Sequence, residues 1–249
     1  MVSLAEMKYR IRDFYRFSRT ETRDLVISIL VVTFAFAYND KSDAFQLIHW
    51  LLNFLKILFM VAIAFFVHVS VQKIAALRTG YTAEFKMWTM GIYITLIVTF
   101  LSQGRLYIIL PGGAIFTHMV IQRLGHFRYG LNLLTAGIVA ATGPMANLIM
   151  ATFWETLALN GIMPGFFHQM TFINLYYAIF SMLPLPNFDG LWMLMATRLL
   201  YAFFFGTLVG YIILFMIGMY SLIWAIVLGG VTWVLVWFFI ERVVQKPVE

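Results

Sequence analysis

The chain has no cysteine and few charged residues, and each shortage narrows its possible class. Without a thiol among its 249 residues it forms no disulfide and offers no thiolate to a metal. Only 11% of the residues are charged, whereas 62% are hydrophobic and the mean hydropathy is +0.88. A single soluble core cannot bury so much apolar surface, so lipid must solvate most of it. The composition therefore predicts an integral membrane protein.

The net charge of +6 is concentrated in one flank, which argues against nucleic-acid binding. Six of the 17 Lys and Arg residues precede the first apolar segment: Lys8, Arg10, Arg12, Arg16, Arg19 and Arg23. The positive-inside rule then predicts a cytoplasmic N-terminus. We expect residues 1–24 to form a basic segment on the inner membrane surface, residues 25–240 a single transmembrane domain and residues 241–249 a cytoplasmic tail.

The apolar segments predict an all-α polytopic fold with about six transmembrane helices, which returns the C-terminus to the cytoplasm. The segments are 25–38, 45–77, 91–102, 131–159 and 166–182, with room for two more helices in 191–240 divided near 198–205 or near Gly218. Polar and apolar residues alternate in 80–90, and a β-rich run with a Pro-Gly-Gly break lies in 103–117. These two stretches predict short β segments at the membrane between helices two and four.

Polar residues are costly within a transmembrane helix, and the second predicted helix contains several of them. His68 and Gln72 are four residues apart, so their side chains share one helical face. Two histidines at this spacing hold zinc in the H-E-x-x-H helix, whose glutamate activates the metal-bound water. Here the stretch reads His-Val-Ser-Val-Gln, so one histidine of the pattern is present.

Three stretches, in order, resemble the site-2 protease family of intramembrane zinc metalloproteases, peptidase family M50. The first is the zinc helix and its tail, where Ala76 and Gly80 match. The second, Gly-Pro-Met-Ala-Asn at 143–147, is like the family's A-G-P-x-x-N. The third is like N-L-x-x-A-x-F-N-L-L-P-x-P-P-L-D-G and agrees at Asn174, Leu175, Ala178, Phe180, Leu183, Pro184, Pro186, Asp189 and Gly190. The resemblance spans 65–190, within a core of about 45–205.

The resemblance implies a six-helix core that holds zinc near the cytosolic side and cleaves transmembrane substrates. In that scheme His68 and Asp189 match metal ligands. The chain departs from the family at three functional positions: Val69 replaces the general-base glutamate, Gln72 the second histidine and Ser181 the asparagine that steadies the oxyanion. The resemblance is thus to a member with a degenerate zinc motif.

These departures predict a catalytically inactive homologue. A catalytic zinc has three protein ligands, and loss of the general base alone costs about 10² to 10⁴ in rate. We expect no cofactor, with zinc only if the family site is retained. The function expected is a pseudoprotease that binds transmembrane clients or serves as a subunit of a membrane complex. Its client cavity would be lined by Ser70, Gln72, Asn147, Asn174, Ser181 and Asn187.

Other interpretations remain open at this point. An active protease would use His68 and Asp189 with a replacement ligand from among His118, His126 and His168. A transporter or channel component is a further alternative. Structural roles are also open, because Gln72 fits an interhelical hydrogen bond and Asp189 fits a helix N-cap. Gly206 and Gly210 form a G-x-x-x-G face that would pack within the bundle or form an oligomer.

Overall fold

The computed structural model describes residues 3–39, 46–119 and 131–240. Within these ranges the chain forms nine α-helices and two β-strands. In chain order they are α1 (Leu4–Phe14), α2 (Arg19–Ala37), α3 (Leu47–Thr79), β1 (Tyr81–Met87), α4 (Thr89–Leu101), β2 (Gly112–His118), α5 (Leu133–Leu159), α6 (Pro164–Ser181), α7 (Asp189–Ala196), α8 (Arg198–Met216) and α9 (Leu222–Phe239).

Local signals explain where several helices begin and end. The side chains of Ser18, Asn132 and Thr197 each accept a hydrogen bond from a backbone N–H in the first turn of the helix that follows. At the other end of α3, Gly80 takes a left-handed conformation with φ 86°, which lets the chain leave the helix and enter β1 at once.

Four helices in the described ranges are long and apolar enough to cross a membrane, namely α3, α5, α8 and α9. The expected integral membrane character is therefore consistent with the fold. The helices α2 and α6 have 19 and 18 residues but fall outside this set. The count of six spans and the cytoplasmic placement of both termini stay predictions, and the tail at 241–249 lies outside the described residues.

The β segments expected between the second and fourth helices are present as an antiparallel pair. Tyr81 pairs with His118 and Met87 pairs with Gly112, and α4 connects the two strands. The second strand begins only after Pro111, so the preceding run at 107–110 is buried or half-buried coil rather than strand. The residues that follow β2, at 120–130, lie outside the described residues.

The C-terminal third contains one more helix than the sequence predicts. The short helix α7 follows the turn that contains the Leu-Pro-Leu-Pro sequence. The two long helices α8 and α9 are divided near Gly218, which is one of the two predicted positions. Gly206 and Gly210 lie against α9, where added Cβ atoms would come within 1.9 Å of Thr232 Oγ1 and 2.8 Å of Leu228 Cβ. The small-residue face thus packs inside the bundle, and oligomerisation through it stays a prediction.

Two buried apolar clusters make up the core. One joins α5, α7 and α8 with the inner face of the β pair, and the other joins α2, α3 and α6. Helix α3 contributes to both clusters, with Ala76 in the first and Val69 in the second.

Candidate functional site

His68 and Asp189 are 121 positions apart in the chain and meet inside the bundle. The Nε2 atom of His68 on α3 lies 2.8 Å from Oδ2 of Asp189, the first residue of α7. The second carboxylate oxygen, Oδ1, accepts a hydrogen bond of 3.4 Å from the backbone N–H of Ala114 on β2. Both side chains are essentially inaccessible, at 1% and 0% exposure. One carboxylate thus connects a long helix, a short helix and a strand.

The turn that carries Asp189 is shaped by the residues around it. Asn187 adopts a left-handed conformation with φ 63°, which swings the chain back toward β2. Gly113 on β2 leaves room for this turn, because a Cβ there would lie 2.7 Å from the carbonyl oxygen of Asn187. The predicted N-cap role is not what forms here. Asp189 is the first residue within α7, Phe188 occupies the cap position, and the carboxylate is directed at His68 instead.

Gln72, one turn beyond His68, makes an interhelical hydrogen bond. Its amide Nε2 donates to the carbonyl oxygen of Ala140 on α5 at 3.1 Å. The two helices approach closely at Gly143, where a Cβ would come within 2.4 Å of His68 Nε2 and 2.6 Å of Gln72 Nε2. The glycine of the 143–147 motif therefore makes space for the polar face of α3.

Val69 and Ser181, which the resemblance matches to two catalytic positions, supply no acid–base chemistry. Val69 is 3% exposed and packs in the apolar cluster of α2, α3 and α6. The hydroxyl of Ser181 is buried and donates to the carbonyl oxygen of Ala178 in its own helix at 2.8 Å. Neither side chain offers a proton acceptor beside the His68–Asp189 pair.

The two asparagines of the resembled motifs are fully buried. Asn147 donates to the carbonyl oxygen of Ala64, one turn before His68, and Asn174 donates to that of Met170. Four buried atoms of this region have no hydrogen-bond partner among the described residues: His68 Nδ1, Asn147 Oδ1, Asn174 Oδ1 and Tyr177 OH. The Tyr177 ring lies 4.6 Å from the His68 ring, centroid to centroid. Buried acceptors and donors of this kind favour a bound water or polar guest over a purely apolar core.

The six residues predicted to line a client cavity lie in different surroundings in the structure, and a cavity shared by all six stays a prediction. Gln72, Asn147, Asn174 and Ser181 are buried in packed contacts. Ser70 points to a different face of α3, where its hydroxyl receives a hydrogen bond of 2.8 Å from Tyr15 OH, and Asn187 lies in the turn before α7. Four open cavities found in the described part of the chain have other linings.

The residues at this site do not fit a catalytic zinc. A zinc of that kind takes three protein ligands, whereas the described residues contain no group of three His, Cys, Asp or Glu side chains that could hold a metal. Of the proposed replacement ligands, His168 pairs with Glu155 elsewhere in the bundle, at 3.1 Å. His118 lies four residues along β2 from Ala114, roughly 13 Å away at the usual rise of a strand. His126 is outside the described residues.

A second polar cluster was not foreseen from the sequence. The ammonium of Lys73 on α3 lies 2.9 Å from Glu21 Oε2 on α2, and both side chains are buried. It also donates to the carbonyl oxygens of Arg16 and Ala83, at 2.9 and 3.0 Å. Glu21 Oε1 accepts from the backbone N–H of Phe85 on β1 at 2.9 Å. We call this set the Lys73–Glu21 clasp.

The Lys73–Glu21 clasp closes the outer edge of β1. Glu21 accepts from the backbone N–H of Phe85, and the carboxylate of Asp24 accepts from that of Met87 at 3.3 Å. Side-chain carboxylates therefore bind the N–H groups that a neighbouring strand would otherwise bind. The sequence offered one signal, since Glu21 and Asp24 are two of four acidic residues in a flank where Lys and Arg predominate. Their partners on β1 lie more than 60 positions away, beyond the reach of any local pattern.

One curated protein gives a clear sequence match. A protein of Methanocaldococcus jannaschii named "Putative zinc metalloprotease MJ0611" is 29% identical over 217 residues, which cover 81% of this chain and 97% of that protein. No protein-family profile matches the chain. No solved structure matches it either.

Proposed function

We propose that the chain is a catalytically inactive homologue of site-2-type intramembrane metalloproteases that binds a transmembrane client or partner. The similarity to a protein named as a zinc metalloprotease supports a metalloprotease-like origin. The observation that carries the inactive assignment is the His68–Asp189 hydrogen bond, since these two matched ligand positions bond to each other with Val69 beside them.

The three departures from the family pattern, at Val69, Gln72 and Ser181, would each affect a separate part of the hydrolysis reaction. Without a third ligand the metal is held poorly, and the metal's charge is what lowers the pKa of a bound water to about 7. Without the carboxylate at position 69 no group takes the proton of that water, and without an amide at position 181 an oxyanion loses a donor, worth about 10² to 10³ in rate. One compensating residue would therefore not restore hydrolysis.

The client is expected to contact the turn before α7 rather than the edge of β1. The Lys73–Glu21 clasp already satisfies the backbone groups of that edge, so an extended segment cannot add there without displacing it. The turn at 184–187 is more accessible, with Pro184 and Pro186 exposed, and it leads directly to Asp189. Close to His68, which bonds to Asp189, Asn147 donates to Ala64 on α3 and the Tyr177 ring lies 4.6 Å from the His68 ring. Asn147 Oδ1 and Tyr177 OH have no hydrogen-bond partner among the described residues.

Photo-crosslinking in native membranes tests client binding. A photoreactive residue at Pro186 should give a discrete adduct with a membrane protein, and mass spectrometry should map the link to a transmembrane or adjacent segment of that partner. The same residue at Ile226, which is 46% exposed on α9, is the control for lipid-facing background. Identical adduct patterns at the two positions would contradict a specific client site.

The runner-up function is an active zinc protease, and one assay separates it from the proposal. Purified protein supplied with zinc should leave fluorescent transmembrane peptides and copurified partners intact. Cleavage that disappears in the His68→Ala variant would overturn the inactive assignment.

A further inference from the structure

The first helix, α1, is amphipathic, but none of its residues is buried against the rest of the protein. Its apolar residues recur at i, i+3, i+7 and i+10 and so lie along one side of the helix, at Leu4, Met7, Ile11 and Phe14. Leu4 and Ile11 are exposed, at 91% and 36%, whereas Met7 and Phe14 are half-buried. The protein therefore leaves one edge of this apolar stripe uncovered.

Contacts hold α1 at the end of α3, a helix that is long and apolar enough to cross a membrane. Arg10 donates a hydrogen bond of 2.7 Å to the carbonyl oxygen of Leu77, and Tyr15, directly after α1, donates one of 2.8 Å to the hydroxyl of Ser70. At 1.5 Å per residue the 33 residues of α3 extend over about 50 Å, whereas the hydrocarbon core of a bilayer is about 30 Å thick. The exposed Arg78 is too costly to place in hydrocarbon, so this end of α3 reaches the headgroup layer and α1 lies beside it.

The charges near the stripe favour an anionic surface as its partner. Four charges of α1 cancel in two ion pairs, Glu6 with Arg10 and Arg12 with Asp13. No carboxylate among the described residues forms an ion pair with Lys8 or Arg78, so α1 and the last turn of α3 together have a net charge of +2. Lys8 lies one helical turn from both Leu4 and Ile11, and its ammonium therefore borders the stripe.

The observations favour lipid over protein as the partner of this stripe. An amphipathic helix with a cation beside its apolar side is the pattern of helices that lie in the plane of a bilayer. Tyr15 and Phe17 follow α1, in edge-to-face contact at 5.7 Å, and aromatic residues are enriched at the membrane boundary. A stable protein partner needs roughly 800 Å² of buried surface on each side, which two exposed apolar side chains do not supply.

We propose that α1 is an anchor that lies in the plane of the membrane and binds a bilayer containing anionic phospholipids. Leu4 and Ile11 enter the boundary between headgroups and acyl chains, and Lys8 and Arg78 bind the headgroup phosphates. The basic composition predicts a membrane surface for residues 1–24 as a whole, whereas this proposal assigns the contact to one side of one helix. It does not depend on the proposed function.

Nitroxide labels on single-cysteine variants test the placement of α1, with the full chain in nanodiscs of phosphatidylcholine and phosphatidylglycerol. The chain has no cysteine of its own, so each variant carries one label. Labels at Leu4→Cys and Ile11→Cys should be more accessible to oxygen, which concentrates in lipid, than to a water-soluble nickel chelate. A label at Tyr9→Cys should show the reverse, because Tyr9 is 52% exposed and lies about 200° around the helix from Ile11. Ile226→Cys on α9 is the lipid-facing control.

A second measurement tests the preference for anionic headgroups. A fluorophore at Ile11→Cys should be quenched more strongly by spin-labelled phosphatidylglycerol than by spin-labelled phosphatidylcholine at equal mole fraction. Adding Lys8→Gln should lower this preference about fivefold through loss of one cation at the anionic surface. Adding Lys86→Gln, which removes an exposed lysine on β1, is the matched control and should leave the preference unchanged.

Three results would overturn the proposal. If labels at Leu4→Cys and Ile11→Cys are as accessible to the nickel chelate as the label at Tyr9→Cys, α1 lies in water. If they are shielded from both reagents, protein rather than lipid covers the stripe. Equal quenching by the two lipids would show that the cations beside α1 do not bind anionic headgroups.

Discussion

At the scale of single residues, the hydrogen bond between His68 and Asp189 joins the two side chains that the resemblance matches to metal ligands. The two side chains are inaccessible, and Asp189 also accepts from Ala114. A buried polar pair adds little net stability when intact, but removing one member leaves the other without a partner.

We predict that His68→Ala and Asp189→Ala each lower the free energy of unfolding by about 3–5 kcal/mol, because each strands a buried polar group. The double variant should lose less than the sum of the two, since neither member of the pair then strands the other and only the Ala114 N–H loses its acceptor. Denaturant titration followed by tryptophan fluorescence in detergent measures all three. Strictly additive losses would mean that the two side chains do not interact.

Sequence reasoning reached this pair only through the resemblance. The periodicity of α3 puts His68 and Gln72 on one face, but nothing local indicates that Asp189 returns to meet them. Gln72 is the clearer case, because an amide in an apolar helix predicts an interhelical bond, and its contact with Ala140 confirms that prediction. The client cavity was predicted from motif positions alone, and one of its six residues, Ser70, bonds to Tyr15 instead.

At the scale of elements, the close approach of α3 and α5 depends on one glycine. Gly143 lies beside both polar side chains of α3, and an added methyl group would overlap them.

Gly143→Ala should therefore destabilise the protein by about 1–3 kcal/mol through overpacking, despite the better helix propensity of alanine. Gly230→Ala on α9 is the control, because nothing lies within 4 Å of a Cβ there, and it should be neutral or slightly stabilising. Thermal unfolding of both variants measures the difference. If the two shift the midpoint alike, α5 does not pack against α3 as described.

The long helices and the β pair could be predicted because their signals are local. The length of the apolar segments predicts α3, α5, α8 and α9, and the alternation of polar and apolar residues predicts β1. The helix α7 was missed because six of its eight residues, at 191–196, are apolar and merge with those of α8 in the sequence, and the break between the helices is a single extended residue, Thr197. The start of β2 was placed too early, since the apolar run at 107–110 is indistinguishable from a strand by pattern.

At the scale of the whole molecule, the Lys73–Glu21 clasp connects the N-terminal part of the chain to the membrane core. It lies where α2, α3 and β1 meet, and Arg10 adds a hydrogen bond of 2.7 Å to the carbonyl oxygen of Leu77. The basic flank is therefore bound to the core and is not a free tail.

Glu21→Gln should lower the free energy of unfolding by about 3–5 kcal/mol, because it leaves the buried Lys73 ammonium without its counter-charge. It should also speed proteolysis within residues 3–18. Glu6→Gln, which breaks the exposed pair with Arg10, is the control and should cost less than about 1 kcal/mol. Equal protease sensitivity in wild type and Glu21→Gln would show that the clasp does not hold the N-terminal segment.

The most direct test of the inactive assignment is the zinc content of the purified protein after expression in zinc-rich medium. The account predicts far less than one zinc per chain in the wild type, because only His68 and Asp189 match ligand positions. It predicts a rise toward one zinc per chain in Gln72→His, which supplies a third ligand one turn from His68. A wild-type protein that holds one zinc per chain, and loses it in His68→Ala, would contradict the account.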